Sequence, residues 1–264
     1  MESPSEQGTP SPEHRPQRPA ALELGNGLAI FLLVLLVFLA AQSIFLVDRV
    51  IRTTPELNAR GFSMAMLEDE LFQERAQDLS DDGDTVSRVS LWSGLSSLAV
   101  LLLFTFWWKR KRMVGFLGLH PPALRPMAAW TGLFVVCLTA MELLAWLLPE
   151  IDNSFMENVL ATAHNKPLLF LGTALVPALF EEFFLRGLLF GSLRHVLDKH
   201  MSIAIVSGLF TVMHLQYPWY MLLLFILPLG VLLGYARANT GSIWTSVLLH
   251  FLNNSISLAL PQLP

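Results

Sequence analysis

The chain has 264 residues, 53% of them hydrophobic and only 14% charged, with a mean hydropathy of +0.53. Soluble domains carry about 25% charged residues, so the composition excludes an ordinary water-soluble fold and reads as a membrane protein. A net charge of -4 leaves no basic excess to neutralise a phosphate backbone, which argues against nucleic acid as a partner. The single cysteine, Cys137, excludes an intrachain disulfide framework and any Cys-rich zinc or iron-sulfur site.

The first residues mix Pro, Ser, Glu and Arg with almost no large apolar side chain. They cannot bury enough surface to offset the entropy of ordering, so residues 1–26 are read as a disordered, Pro-rich cytoplasmic tail. An apolar run at 27–47 follows, long enough at ~1.5 Å per residue to cross a hydrocarbon layer of ~30 Å. The apolar part of a cleaved signal peptide is only ~7–15 residues, so an uncleaved anchor is expected. Further runs lie at 91–108, 127–148, 167–190, 201–215, 219–235 and 242–260. The expectation is an all-α polytopic membrane protein of about seven transmembrane helices, with N-terminal helices over 27–126 and a C-terminal core over 127–264.

Lys and Arg near span ends are retained on the cytoplasmic side. Lys109, Arg110, Lys111, Arg112 and Arg125 follow the second run, Arg194 and Lys199 the fourth, and Arg237 the sixth. The loops between them are acidic or nearly uncharged, notably 67–84 with Glu68, Asp69, Glu70, Glu74, Asp78, Asp81, Asp82 and Asp84. The alternation predicts a cytoplasmic N-terminus and a multi-pass protein of the plasma or inner membrane. Within the acidic loop 48–90, Phe62, Met66 and Leu71 could share one stripe of an amphipathic helix over 62–79, a gate or simply a loop resting on the membrane surface. No internal repeat and no Gly-rich phosphate loop are present, so a solenoid, a P-loop ATPase or a dinucleotide site has no support.

The informative residues are those that lipid should exclude. The run at 167–190 contains Glu181, Glu182 and Arg186, and three such charges oppose insertion by roughly 7–10 kcal/mol, about what its Leu, Val and Phe residues return. The charges must therefore face protein or water. Glu182 and Arg186 stand four residues apart on one helical face, where a carboxylate can hold a guanidinium. Glu181 is turned by about 100° from Glu182 and can face a cavity instead. Of the seven histidines, His214 and His250 also fall in apolar surroundings, and Asn254 lies one helical turn beyond His250 with Asn253 beside it. Counted inward at ~1.5 Å per residue, Glu181, His214 and His250 lie at comparable depths and can line one intramembrane cavity.

Peptide hydrolysis needs a base for water, a donor for the leaving amine and hydrogen bonds to the oxyanion. Glu181 with His214 can activate a water, and His250 with Asn254 can stabilise the oxyanion. Glu181, His214 and His250 are equally a ligand set for catalytic zinc, although no HExxH helix is present. A serine mechanism lacks its G-x-S-x-G elbow, and Cys137 stands in the third run without a polar neighbour.

Glu181-Glu182-x-x-x-Arg186, Phe210-x-x-x-His214 and His250-x-x-x-Asn254, in this order on three apolar segments, resemble the motifs of the CAAX-protease and bacteriocin-processing (Rce1-like) family of intramembrane endopeptidases. The likeness spans about 167–260. It implies Glu181 as the catalytic glutamate, His214 as its partner on water, and His250 with Asn254 on the oxyanion side. Glu182, Arg186, Phe210 and Asn253 would support them, and the C-terminal helices would enclose the catalytic cavity. The family is commonly labelled metalloprotease, while a metal-free glutamate mechanism is the account preferred for its eukaryotic members. The substrate implied is a membrane-anchored or lipidated protein or peptide, with the lipid bilayer as surroundings. The competing readings are a proton-coupled transporter using the same Glu and His residues, and a non-catalytic binding or immunity protein.

Overall fold

The computed structural model describes residues 19–147 and 154–259. Residues 1–18, which hold most of the expected tail, lie outside them. Five helices are long and apolar enough to cross a bilayer: α1 (Ala20–Thr53), α3 (Gly83–Leu117), α4 (Leu124–Leu147), α6 (Lys166–Leu193) and α8 (Trp219–Thr240). Between and after them stand α2 (Glu70–Leu79), α5 (Ser154–Thr162), α7 (Lys199–Val212) and α9 (Ile243–Ala259). The described residues are all-helical, consistent with a multi-pass membrane protein.

Among the described residues five of the seven expected spans lie on helices of that length and hydropathy. The runs at 201–215 and 242–260 do fold as helices, but α7 has 14 residues and α9 has 17. At ~1.5 Å per residue α7 reaches ~21 Å, less than a ~30 Å hydrocarbon layer, while α9 runs to the last described residue, Ala259. The first helix begins at Ala20 rather than 27, because 20–24 are good helix formers and Glu23 in the first turn suits the positive end of the helix dipole. Glu23 also pairs with Lys109 at the end of the second run, tying α1 to α3 at the cationic end. The amphipathic segment expected over 62–79 is two pieces, a tight turn at Met64–Glu68 and then α2. They part at Asp69, whose carboxylate accepts the Leu71 N–H at 2.9 Å and caps α2. Met66 and Phe72 are buried with Val50 and Leu57, whereas Phe62 is exposed.

Small residues decide how the long helices meet. The buried face of α3 carries Gly83, Ser87, Gly94, Ser97 and Thr105, a spacing that lets neighbouring backbones approach closely. Gly94 faces Val176 and Phe180 of α6, and a Cβ built on Gly172 would come within 2.2 Å of the Ser87 carbonyl oxygen. Two hydroxyls of α3 turn back to their own helix, Ser87 Oγ to the Gly83 carbonyl at 2.5 Å and Ser93 Oγ to the Val89 carbonyl at 2.6 Å. In its most apolar stretch α6 is 56% buried against 6% for α4, so α6 is the central helix and α4 the outlying one. The bundle's outward faces carry Leu32, Leu36, Phe106, Trp107, Val136 and Trp146, as lipid-facing surfaces should.

The crossing at Gly172 predicts that Gly172→Val costs about 1–3 kcal/mol by overpacking. Its thermal unfolding in detergent should fall below wild type, while Gly132→Ala, with nothing within 4 Å, should unfold at or above it. Equal midpoints for the two variants would contradict this packing.

Candidate active site

The site grows from α6. From Glu182 to Leu189 this helix is wound as a wide π-type turn, a form that recurs at functional sites. Glu182 and Arg186 are fully buried, and Nη1 of Arg186 donates to Oε1 of Glu182 at 2.9 Å. Nη2 of Arg186 donates to the Gly230 carbonyl of α8 at 2.9 Å, and its guanidinium lies 4.5 Å from the Phe210 ring centroid of α7. His250 of α9 completes the group, with Nδ1 3.0 Å from Oε1 of Glu182. A carboxylate paired with a guanidinium only accepts, so Nδ1 of His250 carries the proton. One ion pair thereby joins α6, α7, α8 and α9.

The neighbouring carboxylate is differently placed. Glu181 faces a cavity of about 1650 Å³ that is also lined by His214, His250, Asn253 and Asn254. Its Oε2 has no hydrogen-bond partner and lies 4.0 Å from Nε2 of His214, with both side chains partly accessible. Phe210 is in the last turn of α7, where carbonyls lack an N–H four residues on. Its carbonyl takes Nδ1 of His214 at 2.7 Å instead. A carbonyl cannot donate, so Nδ1 carries a proton, and Nε2 is the nitrogen that faces Glu181. Phe210 also touches both imidazoles, at 4.6 Å from His214 and 5.5 Å from His250 between centroids. It spaces the three motif groups.

Asn254 is held through a defect in α6. Pro177 has no N–H to give the Thr173 carbonyl four residues back, and Asn254 Nδ2 approaches that oxygen at 3.4 Å. Asn253 Nδ2 stands 3.4 Å from Oδ1 of Asn254. Glu181, His214, His250, Asn253 and Asn254 thus share one cavity, while Glu182 and Arg186 form its enclosed support. The zinc set named as an alternative is not assembled: among the described residues no three His, Cys, Asp or Glu side chains converge as a metal site would require. Cys137 is a free, half-buried thiol outside this cavity.

Sequence reading missed several wall residues. Phe31 and Phe38 of α1 stack on Phe184 and Phe180, at 4.3 and 4.7 Å between centroids, and all four line the cavity. The seven-residue spacing of Phe31 and Phe38 was the available signal. Tyr217, three residues after His214, also lines it; burial and the Glu181 carboxylate push its phenol up to about 12, so at neutral pH it is a hydrogen-bond donor. Nothing in the short turn 213–218 pointed to it.

Residues 163–256 match the family model of Rce1-like proteins, described as type II CAAX prenyl endopeptidase. That stretch is similar to the family that the three motifs resemble. No curated protein and no solved structure matches the chain. α1 and α3 lie outside the family match yet supply cavity walls.

Removing one partner of a buried ion pair costs about 3–5 kcal/mol because the other charge is stranded. Glu182→Ala should therefore fail to give a monodisperse folded protein or should melt far below wild type, whereas Glu181→Gln should melt close to it. Comparable melting of these two variants would remove the division of roles between the adjacent glutamates.

Proposed function

We propose that this chain, Rce1-like over its C-terminal helices, is an intramembrane endopeptidase that hydrolyses a peptide bond of a membrane-associated or lipidated substrate with a water activated by Glu181 and His214. One observation carries the reading: Glu181 Oε2 and His214 Nε2 face each other at 4.0 Å across the cavity, and with His214 protonated on Nδ1 alone both are acceptors. Two acceptors at that distance are too far apart for a direct bond and suit a water donating one hydrogen to each. Such a water keeps its lone pairs toward the cavity, where a scissile carbonyl would lie. Glu181 then takes the proton on attack and returns it to the leaving amine.

The developing oxyanion needs donors already in place. Asn254 offers an amide N–H in any protonation state. His250 has Nδ1 committed to Glu182, so it donates from Nε2 only when doubly protonated. Tyr217 adds a third hydroxyl donor on the cavity wall. Glu182 and Arg186 hold these helices and do not touch the reacting atoms.

The protein is placed in the plasma or inner membrane with its N-terminus in the cytoplasm, on the strength of the basic residues at 109–112, 125, 194, 199 and 237. In a Cys137→Ser background, a membrane-impermeant maleimide applied to intact cells should label Ser80→Cys and spare Lys111→Cys. The reverse pattern would invert the topology.

Losing the general base should lower the rate of proteolysis by about 10²–10⁴-fold. Membranes from Glu181→Gln and His214→Ala cells, compared with wild type by quantitative proteomics of N- and C-termini, should accumulate the same uncleaved precursors. If both variants are present at normal levels and no precursor changes, the chain is not acting as a protease.

A further inference from the structure

Among the described residues two arginines are buried, Arg186 and Arg237. Arg186 holds a carboxylate and a carbonyl, whereas Arg237, in the last turn of α8, holds neither. It is 7% exposed, its Nε is buried without a partner, and its guanidinium makes no hydrogen bond or ion pair to any described residue. What it touches is the Phe190 ring, 5.9 Å away, and the backbone of Gly118, where an added Cβ would lie 2.3 Å from Nη2. Gly118 closes α3 at φ +75°. The carbonyls of that turn are already taken by residues 242–244. Gly118 accepts the Ile243 N–H at 2.8 Å, Leu119 accepts Trp244 Nε1 at 3.1 Å and His120 accepts Ser242 Oγ at 2.6 Å.

No carboxylate at this end is left for Arg237. Glu23 pairs with Lys109, and Asp198 accepts the His200 and Met201 N–H groups. Arg110, Lys111, Arg112, Arg125 and Arg194 are exposed here, which is the ordinary flank of membrane spans and marks no site by itself. Arg237 differs from them. An arginine that merely snorkels keeps its head in water, but this one is covered, and a buried charge without a partner is costly. An anion from outside the chain removes that cost, and the planar fork of a guanidinium suits two oxygens of a phosphate. α8 has 22 residues, or ~33 Å, about the thickness of the hydrocarbon layer. Arg237 stands one turn inside its end, at the level of lipid phosphates. We infer that Arg237, seated between Gly118 and Phe190, is the core of a binding site for the phosphate of a membrane phospholipid, which the exposed cations of the same end help to attract. Arg237 does not line the chamber, so the site stands apart from the endopeptidase reading.

Full-length protein in maltoside detergent and phosphate-free buffer is titrated while its thermal unfolding midpoint is followed. The probes are dioctanoylphosphatidylglycerol, dioctanoylglycerol, which has the chains without the phosphate, and inorganic phosphate. The phospholipid should raise the wild-type midpoint saturably, dioctanoylglycerol should not, and inorganic phosphate should need about tenfold more or higher. Arg237→Gln should weaken the phospholipid's apparent affinity by about tenfold or more, as expected for a lost charge-assisted pair. The double variant Arg110→Gln/Arg112→Gln should change it by less than about threefold. Should Arg237→Gln not fold, Arg237→Lys keeps the charge but loses the fork and should bind about threefold to tenfold more weakly. A shift matched by dioctanoylglycerol, no shift with the phospholipid, unchanged affinity in the Arg237 variant that folds, or an equal loss in the exposed double variant overturns the inference. Inorganic phosphate as potent as the phospholipid leaves an anion site but removes the lipid as its ligand.

Discussion

Two opposite charges that lipid would reject are buried four residues apart on one membrane helix, and the arrangement of the other helices follows from having to satisfy them. Glu182 and Arg186 neutralise one another, but a guanidinium has five donors and a carboxylate several acceptor sites, so the pair must also recruit partners. It finds them in the Gly230 carbonyl, the Phe210 ring and the His250 imidazole, one from each of the C-terminal helices. The same demand that makes the charges tolerable therefore sets the register of α7, α8 and α9 against α6. Glu181, one residue earlier, is turned away from this network and is left as the carboxylate with access to solvent-sized space.

The N-terminal helices are more than an anchor. Phe31 and Phe38 stack on the two phenylalanines that bracket the glutamates in α6, and Gly94 of α3 lets that helix lie against Val176 and Phe180. A family-like core of about 94 residues thus has its cavity walled by helices that the family model does not cover. Chemistry and containment come from different parts of the chain, and selection for a substrate can act on the walls without disturbing the acid and the imidazoles.

Much of this was legible because buried charge is informative. The four-residue spacing of Glu182 and Arg186 and the rotation of Glu181 follow from helix geometry alone, and the apolar runs fall where the helices are. The helix count was harder to read. Hydropathy sees apolar length, whereas α7 and α9 are apolar in part because they are buried among other helices, as at Phe210 and Leu249. The wide turn at 182–189 has no local signature, since it arises from how α6 packs. The stacking of Phe31 on Phe184 joins residues far apart in the chain, which no periodicity reports. The break at Asp69 was legible in principle, an Asp before a helix being an ordinary cap, but the hydrophobic spacing across it suggested one helix.

α7 stops beside the cavity, and its stopping point has an electrical meaning. A helix carries about half a negative elementary charge at its C-terminal end, on carbonyls that find no partner within the helix. Most membrane helices spend that end in water at the interface. Here it is delivered beside His214, and the Phe210 carbonyl that holds the ring proton is one of those final carbonyls. A fixed dipole is thereby aimed at the His214 ring without adding another ionisable side chain to the bundle.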